Sequence, residues 1–212
     1  MASVALDKFL PSVVVECLHA PEPTALEAIR SACFALCDRA LVWRERLDAE
    51  TYNATDAEYT VTLPNGAQLV SILSVLVDGA RRLNPVTQEA ITANNPALWT
   101  QRGTPGAFTM TALDTFRMLP APDTTGTFIV SAALAPTRTA TTVDSALYER
   151  YLDAVVYGAI YRLKRMPGQS WSDAQGGLYY EQRAAQEVNK AVIARNRDNL
   201  YGDLRVAPVR FV

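Results

Sequence analysis

The sequence predicts an α+β fold in which one N-terminal and two C-terminal helices flank an inserted antiparallel β-sandwich or barrel, with extended termini. Two observations carry this. Apolar residues recur every three or four positions from about residue 24 to 41, alternate at period two from 43 to 136, and return to the helical period beyond. Between 43 and 136, turn signals fall at regular short intervals, the mark of many short strands. Composition supplies the material, since 49% of the 212 residues are hydrophobic and only 20% charged, enough for a core and too apolar for a disordered chain. The boundaries are 1–42 for a lead-in and first helix, 43–136 for the β-rich insertion, 137–200 for the C-terminal helices and 201–212 for an extended tail.

Residues 1–23 carry the β-branched run Val13, Val14, Val15 and then Pro21 and Pro23, which predict an extended lead-in. Thr24 with Glu27 three residues later reads as a capping box. Leu26, Ile29, Cys33, Leu36 and Ala40 follow on one face, predicting a helix over about 24–41.

After Val42 the period becomes two. Trp43, Glu45, Leu47 and Ala49 alternate with Arg44, Arg46, Asp48 and Glu50, as in a half-exposed strand. Tyr59, Val61 and Leu63 alternate with threonines, and Pro64, Asn65 and Gly66 make a turn. Residues 69–77 are apolar on both faces apart from Ser71 and Ser74 and read as a central strand. Asp78-Gly79 is a two-residue hairpin signal. A short helix is expected over 85–93. Phe108, Met110 and Ala112 then alternate, Leu113-Asp114 reverses the chain into Phe116 and Met118, and Asp123 to Gly126 turns into a strand over 128–134.

Asp144 or Ser145 caps a helix carrying Leu147, Tyr151, Val155, Val156, Ile160 and Leu163, which Pro167-Gly168 stops. Ser172 and Gln175 read as a capping box for a last helix to about residue 199. Gly176 and Gly177 in its first turns are tolerable where a neighbour packs close. In the tail, Leu204, Val206, Val209 and Phe211 alternate with charged residues and Pro208 forbids a helix, so these side chains need a partner surface.

Function classes narrow by elimination. With 20 basic against 22 acidic residues the formal charge is −2, which excludes a protein whose main work is to coat nucleic acid. No apolar run approaches the ~20 residues of a membrane span, and the first ten residues lack a signal-peptide pattern, so a soluble intracellular chain is expected. Three cysteines and one histidine are present. Cys17, His19, Cys33 and Cys37 are ligand types for zinc, but Cys-x-His is not a zinc spacing; core packing is favoured and a metal site stays the alternative. Glu149 and Asp153, four apart, and the acidic group Glu45, Asp48, Glu50, Asp56 and Glu58 read as solvated faces rather than an acid–base pair or a cation site. No phosphate loop, nucleophile elbow or metalloprotease motif occurs, so neither catalytic residues nor a cofactor are expected. The basic pairs read as helix-end and surface charges. Six tyrosines crowd the last two helices, and Tyr157 and Tyr161 are the candidates for a subunit interface.

Several phrases, in order, resemble the head-to-tail adaptor (neck or connector) proteins of tailed bacteriophages. These are residues 25–37 running into Leu41-Val42-Trp43-Arg44-Glu45, then Val75-Leu76-Val77-Asp78-Gly79, then Trp99-Thr100-Gln101-Arg102-Gly103-Thr104-Pro105. Leu119-Pro120-Ala121-Pro122-Asp123 and Met166-Pro167-Gly168-Gln169-Ser170-Trp171-Ser172 complete the set. The resemblance implies a helical bundle with a β-rich insertion and a structural, non-enzymatic virion protein. It would form a homo-oligomeric ring, typically a dodecamer, beneath the portal protein, extending the DNA channel and presenting a platform to tail or nozzle proteins. Double-stranded DNA would pass through without sequence-specific binding, and no membrane is involved. The location implied is the virion neck, after assembly in the bacterial host cytoplasm. On this reading Leu204, Val206, Val209 and Phe211 order against the portal or a neighbouring copy, and Arg44 and Arg46 face the tail or the adjacent copy. A β-sandwich module of a baseplate or tail and, behind it, a metal-dependent hydrolase are the competing classes.

Overall fold

The computed structural model describes residues 2–197. Strand β1 (Ser3–Ala5) leads into a 3-10 turn (Leu6–Phe9) and a short helix α1 (Leu10–Val14). The expectation of an extended lead-in fails over these helical residues. Leu6, Phe9, Val13 and Cys17 lie three and four apart and are each at most 2% exposed, so burial of a helical stripe outweighs the strand preference of the valines. Pro11 sits in the first turn of α1, where no intrahelical N–H is needed.

Helix α2 (Glu22–Ala40) starts two residues before the predicted cap. Pro23 occupies its first turn, the Ala25 N–H donates to Pro21 O at 3.0 Å, and Glu27 pairs with Arg30 instead of closing a capping box. The helix ends at Leu41 in the left-handed conformation, φ 49°.

The strands follow as β2 (Arg44–Arg46), β3 (Glu50–Tyr52), β4 (Glu58–Thr60), β5 (Ala67–Val77), β6 (Arg81–Arg82) and β7 (Asn84–Pro85). Helix α3 (Gln88–Asn94), capped by Thr87, and a 3-10 turn (Pro96–Trp99) precede β8 (Ala107–Met110), β9 (Thr115–Leu119), β10 (Gly126–Pro136) and β11 (Thr142–Asp144). β10 is the spine of the larger sheet. It carries β2 and β3 on one edge and β5 on the other, all antiparallel, with β6 continuing from β5. A second sheet runs β4-β9-β8-β7, its last pair parallel, and β1 joins β11 in a two-stranded ribbon.

The hydrophobic run forms an inner strand as expected, β5 between β10 and β6, but it is not the most deeply covered one. β6 pairs only with Leu76 and Val77 at the end of β5, and the residues between 68 and 74 of β5 are half-buried. The most deeply covered stretch is the second half of β10, whose Ala132, Ala133, Leu134 and Ala135 are inaccessible to solvent. Alanines there let α2 pack down on the strand, and two register shifts bend β5 as it runs alongside. At the other end of β10, Phe128 meets Phe116 and Tyr59 of the second sheet at ring separations of 5.4 and 5.3 Å.

The chain closes with α4 (Ser145–Glu149), α5 (Leu152–Lys164) and α6 (Ala174–Asn196). Asp144 caps α4, accepting from Ala146 N at 2.7 Å, and Asp173, not Ser172, caps α6, accepting from Gly176 N at 2.9 Å. The predicted extension of α6 to about 199 reaches beyond the described residues. α2, α5 and α6 form one layer, closest where a Cβ on Gly158 would lie 3.1 Å from that of Ala32. Gly176 and Gly177 are hemmed in by the side chains of Asp173, Lys164 and Arg165 rather than by another backbone.

Candidate partner-binding surfaces

β2 is an open edge. The Leu134 N–H donates to Trp43 O at 2.8 Å and the Leu47 N–H to Val130 O at 2.9 Å, so by strand alternation the peptide groups of Arg44 and Arg46 turn away from β10. Arg44 is half-buried, its Nε donating to Leu41 O at 3.2 Å, and Arg46 is exposed. The structure thus brings both arginines to a strand edge that no other described strand pairs, a geometry suited to strand addition.

The tyrosines are partly consumed within the chain. Tyr157 of α5 lies 5.8 Å from the ring of Tyr180, and Tyr180 stands edge-on to Tyr179 at 5.2 Å. Lys164 lies over Tyr180, Arg183 over Tyr179 and Arg162 over Tyr161. Burial, then hydrogen bonding to the Glu16 carboxylate, pushes the Tyr180 hydroxyl up to about 12. Tyr148, Tyr151, Tyr157, Tyr161 and Tyr180 are all half-buried, which leaves Tyr179 as the exposed member. The Glu16–Tyr180 contact also draws the segment after α1 beside the start of α6. Val15, Leu18, Leu178 and Tyr179 are exposed there, an apolar end to the helical layer.

A groove of about 420 Å³ opens between α2, the end of β10 and Arg162 of α5. Phe34, 40% exposed, with Ala35 and Pro136, supplies its apolar surface. Three arginines border it. Arg30 donates from Nε to Ala140 O at 2.9 Å and pairs with Glu27, and Arg162 donates to Gly158 O at 2.6 Å. Arg138 has neither a hydrogen bond nor an ion pair among the described residues. Two of the three guanidinium groups therefore lack an acidic partner. Sequence reasoning did not find this groove; Arg30 and Phe34 are four apart on α2, but Arg138 arrives from over a hundred residues away.

The residues weighed for catalytic or metal chemistry are dispersed over the described residues. Cys17, Cys33 and Cys37 are buried in the core while His19 is exposed. Burial pushes the Cys33 thiol up to about 12 and raises those of Cys17 and Cys37, disfavouring the thiolate a metal would take. Glu149 and Asp153 fall in different helices, α4 and α5, so they do not share one helix face as their spacing suggested. Glu58 pairs with Arg117 at 3.3 Å and Glu50 accepts from Thr62 N at 3.3 Å. Among the described residues no group of three or more histidine, cysteine, aspartate or glutamate side chains is arranged to hold a metal ion. No helix among them is long and apolar enough to cross a membrane. Leu204, Val206, Val209 and Phe211 lie outside the described residues.

The family model described as SU10 adaptor protein matches residues 20–209, nearly the whole chain. No curated protein matches. The chain belongs to the SU10 adaptor protein family, a family of phage head-to-tail adaptors.

Proposed function

We propose that this adaptor forms a closed ring of copies beneath the portal of a tailed bacteriophage, extends the DNA channel and presents the platform on which tail or nozzle proteins sit. The family match over residues 20–209 carries the reading. Three features support it. The formal charge of −2 over 212 residues suits a conduit through which DNA slides, because a strongly basic lumen would hold the phosphates. The open edge of β2, with Arg44 and Arg46, offers strand addition to a tail protein or to the adjacent copy. The apolar end of the helical layer and the partly covered rings of Tyr157 and Tyr161 offer a contact for the portal or the next copy.

In this reading 1–42 and 137–200 make a helical body, 43–136 is an insertion, and the tail 201–212 is the element that fixes the ring to its template. Leu204, Val206, Val209 and Phe211 fill a groove or add as a strand on the portal or a neighbour. Twelve copies is the ring size the family implies, and the neck of the virion, reached after assembly in the host cytoplasm, is the place. Removing residues 201–212 is expected to abolish portal binding in a pull-down with purified portal protein, and unchanged binding would contradict the role of the tail. Reversing the charges of Arg44 and Arg46 is expected to yield particles with filled heads and no tails in electron micrographs; normal tails would release β2 from that role.

A further inference from the structure

We infer that the tip of the β8–β9 hairpin, Leu113 and Asp114, docks into the arginine-bordered groove of the next copy. The inference rests on the ring reading above and gives its copy-to-copy contact an address. Leu113 is 90% exposed, more than any other large apolar side chain among the described residues. A single exposed leucine is ordinary. What distinguishes this one is the carboxylate beside it, whose Oδ1 accepts only from the adjacent Thr115 hydroxyl at 3.2 Å and which no cation pairs among the described residues. The tip is an apolar knob with one free negative charge.

The groove is its complement, with apolar surface from Phe34, Ala35 and Pro136 and two guanidinium groups, Arg138 and Arg162, without acidic partners. Charge selects among occupants. The chain's own tail carries Arg205 and Arg210 against a single Asp203, so a groove already rich in arginine disfavours it, whereas Asp114 is favoured. Position makes the contact intermolecular. The hairpin lies beyond Phe116, which packs on Phe128 at the start of β10, and the groove is at Pro136 at its end. Some 25 Å of strand, at the ~3.3 Å rise per residue, separates the two. Knob and groove of one copy cannot meet, so each must be satisfied by a neighbour. A contact between two different patches propagates head to tail and closes into a ring when its rotation allows.

Cross-linking within the assembled portal complex tests this. Chains carrying both Leu113→Cys and Thr137→Cys are expected to give a ladder of linked oligomers on mild oxidation, and either single variant is not. The native cysteines are buried and do not compete. Asp114→Arg is expected to weaken copy-to-copy association by on the order of tenfold, and Arg138→Asp in the same chain to recover most of the loss. Thermal unfolding of the isolated variant should match the unmodified protein, since Asp114 is exposed. Rings that form normally with Asp114→Arg, or assembled rings of the double-cysteine chain that give no ladder, overturn this contact and leave the ring reading standing. Loss of portal binding by Asp114→Arg together with no ladder from the double-cysteine chain would assign the hairpin to the portal and equally overturn it. If the unmodified chain forms no ring with portal protein, the ring reading fails and this contact with it.

Discussion

Helices α2 and α5 come close through small residues, Ala32 facing Gly158, whereas the β-rich half is centred on the rings of Tyr59, Phe108, Phe116 and Phe128. Both regions hang on β10, which presents alanines to the helices and Phe128 to the second sheet. Small residues bring helix backbones close and leave nothing to compress. Rings fill a wide gap between short strands that have few ladder bonds of their own. The helical layer should therefore fail on enlargement and the β-rich half on truncation.

Phe116→Ala gives the largest expected effect. Its side chain is fully buried and touches three other rings, so truncation should cost about 3–5 kcal/mol in denaturant unfolding. A cost below about 1 kcal/mol would break the comparison. Enlarging the helical contact comes next: Ala32→Leu, directly against Gly158, is expected to cost about 1–3 kcal/mol through overpacking. The same alanine-to-leucine change at exposed Ala174 should be close to neutral.

Asp173→Ala probes the helix start rather than the packing. It removes the side-chain acceptor for Gly176 N and should lower the melting temperature, by less than the two core changes above. Cys33→Ala should do least near neutrality and show itself in alkali. Burial raises the Cys33 thiol from its ordinary 9.0 to about 12, so the neutral form is held in the folded state and its stabilisation is complete below pH 9. As pH rises through 9 to 12 the unfolded chain releases the proton first and that stabilisation is lost. The variant should flatten the decline over this window, and an unchanged alkaline profile would place the titration elsewhere.

Much of this architecture is legible in the pattern of residues. The stripe from Ile29 to Ala40, the Asp78-Gly79 turn, the reversal at Leu113-Asp114 and the stop at Pro167-Gly168 follow from local chemistry, and the structure forms each. Errors arose where tertiary contact overrode it. Val13 belongs to a helical stripe that Leu6, Phe9 and Cys17 complete, a signal present at spacings of three and four but masked by the β propensity of the valine run. The apolar run at 69–77 does lie inside the sheet as β5, yet depth of coverage depends on where the helices pack, and α2 packs on the alanines of β10. Of the candidate surfaces, Arg44 and Arg46 were visible as alternating charges on an edge. The groove was not, because Arg30, Arg138 and Arg162 come together only when the ends of the chain fold over the sheet.

The central claim, an adaptor whose copies close into a ring on the portal, is tested most directly by the mass of the purified chain alone and mixed with portal protein. The account predicts small species alone and, with portal, a closed ring of many copies on each portal. A chain that remains a monomer in the presence of portal protein would contradict it.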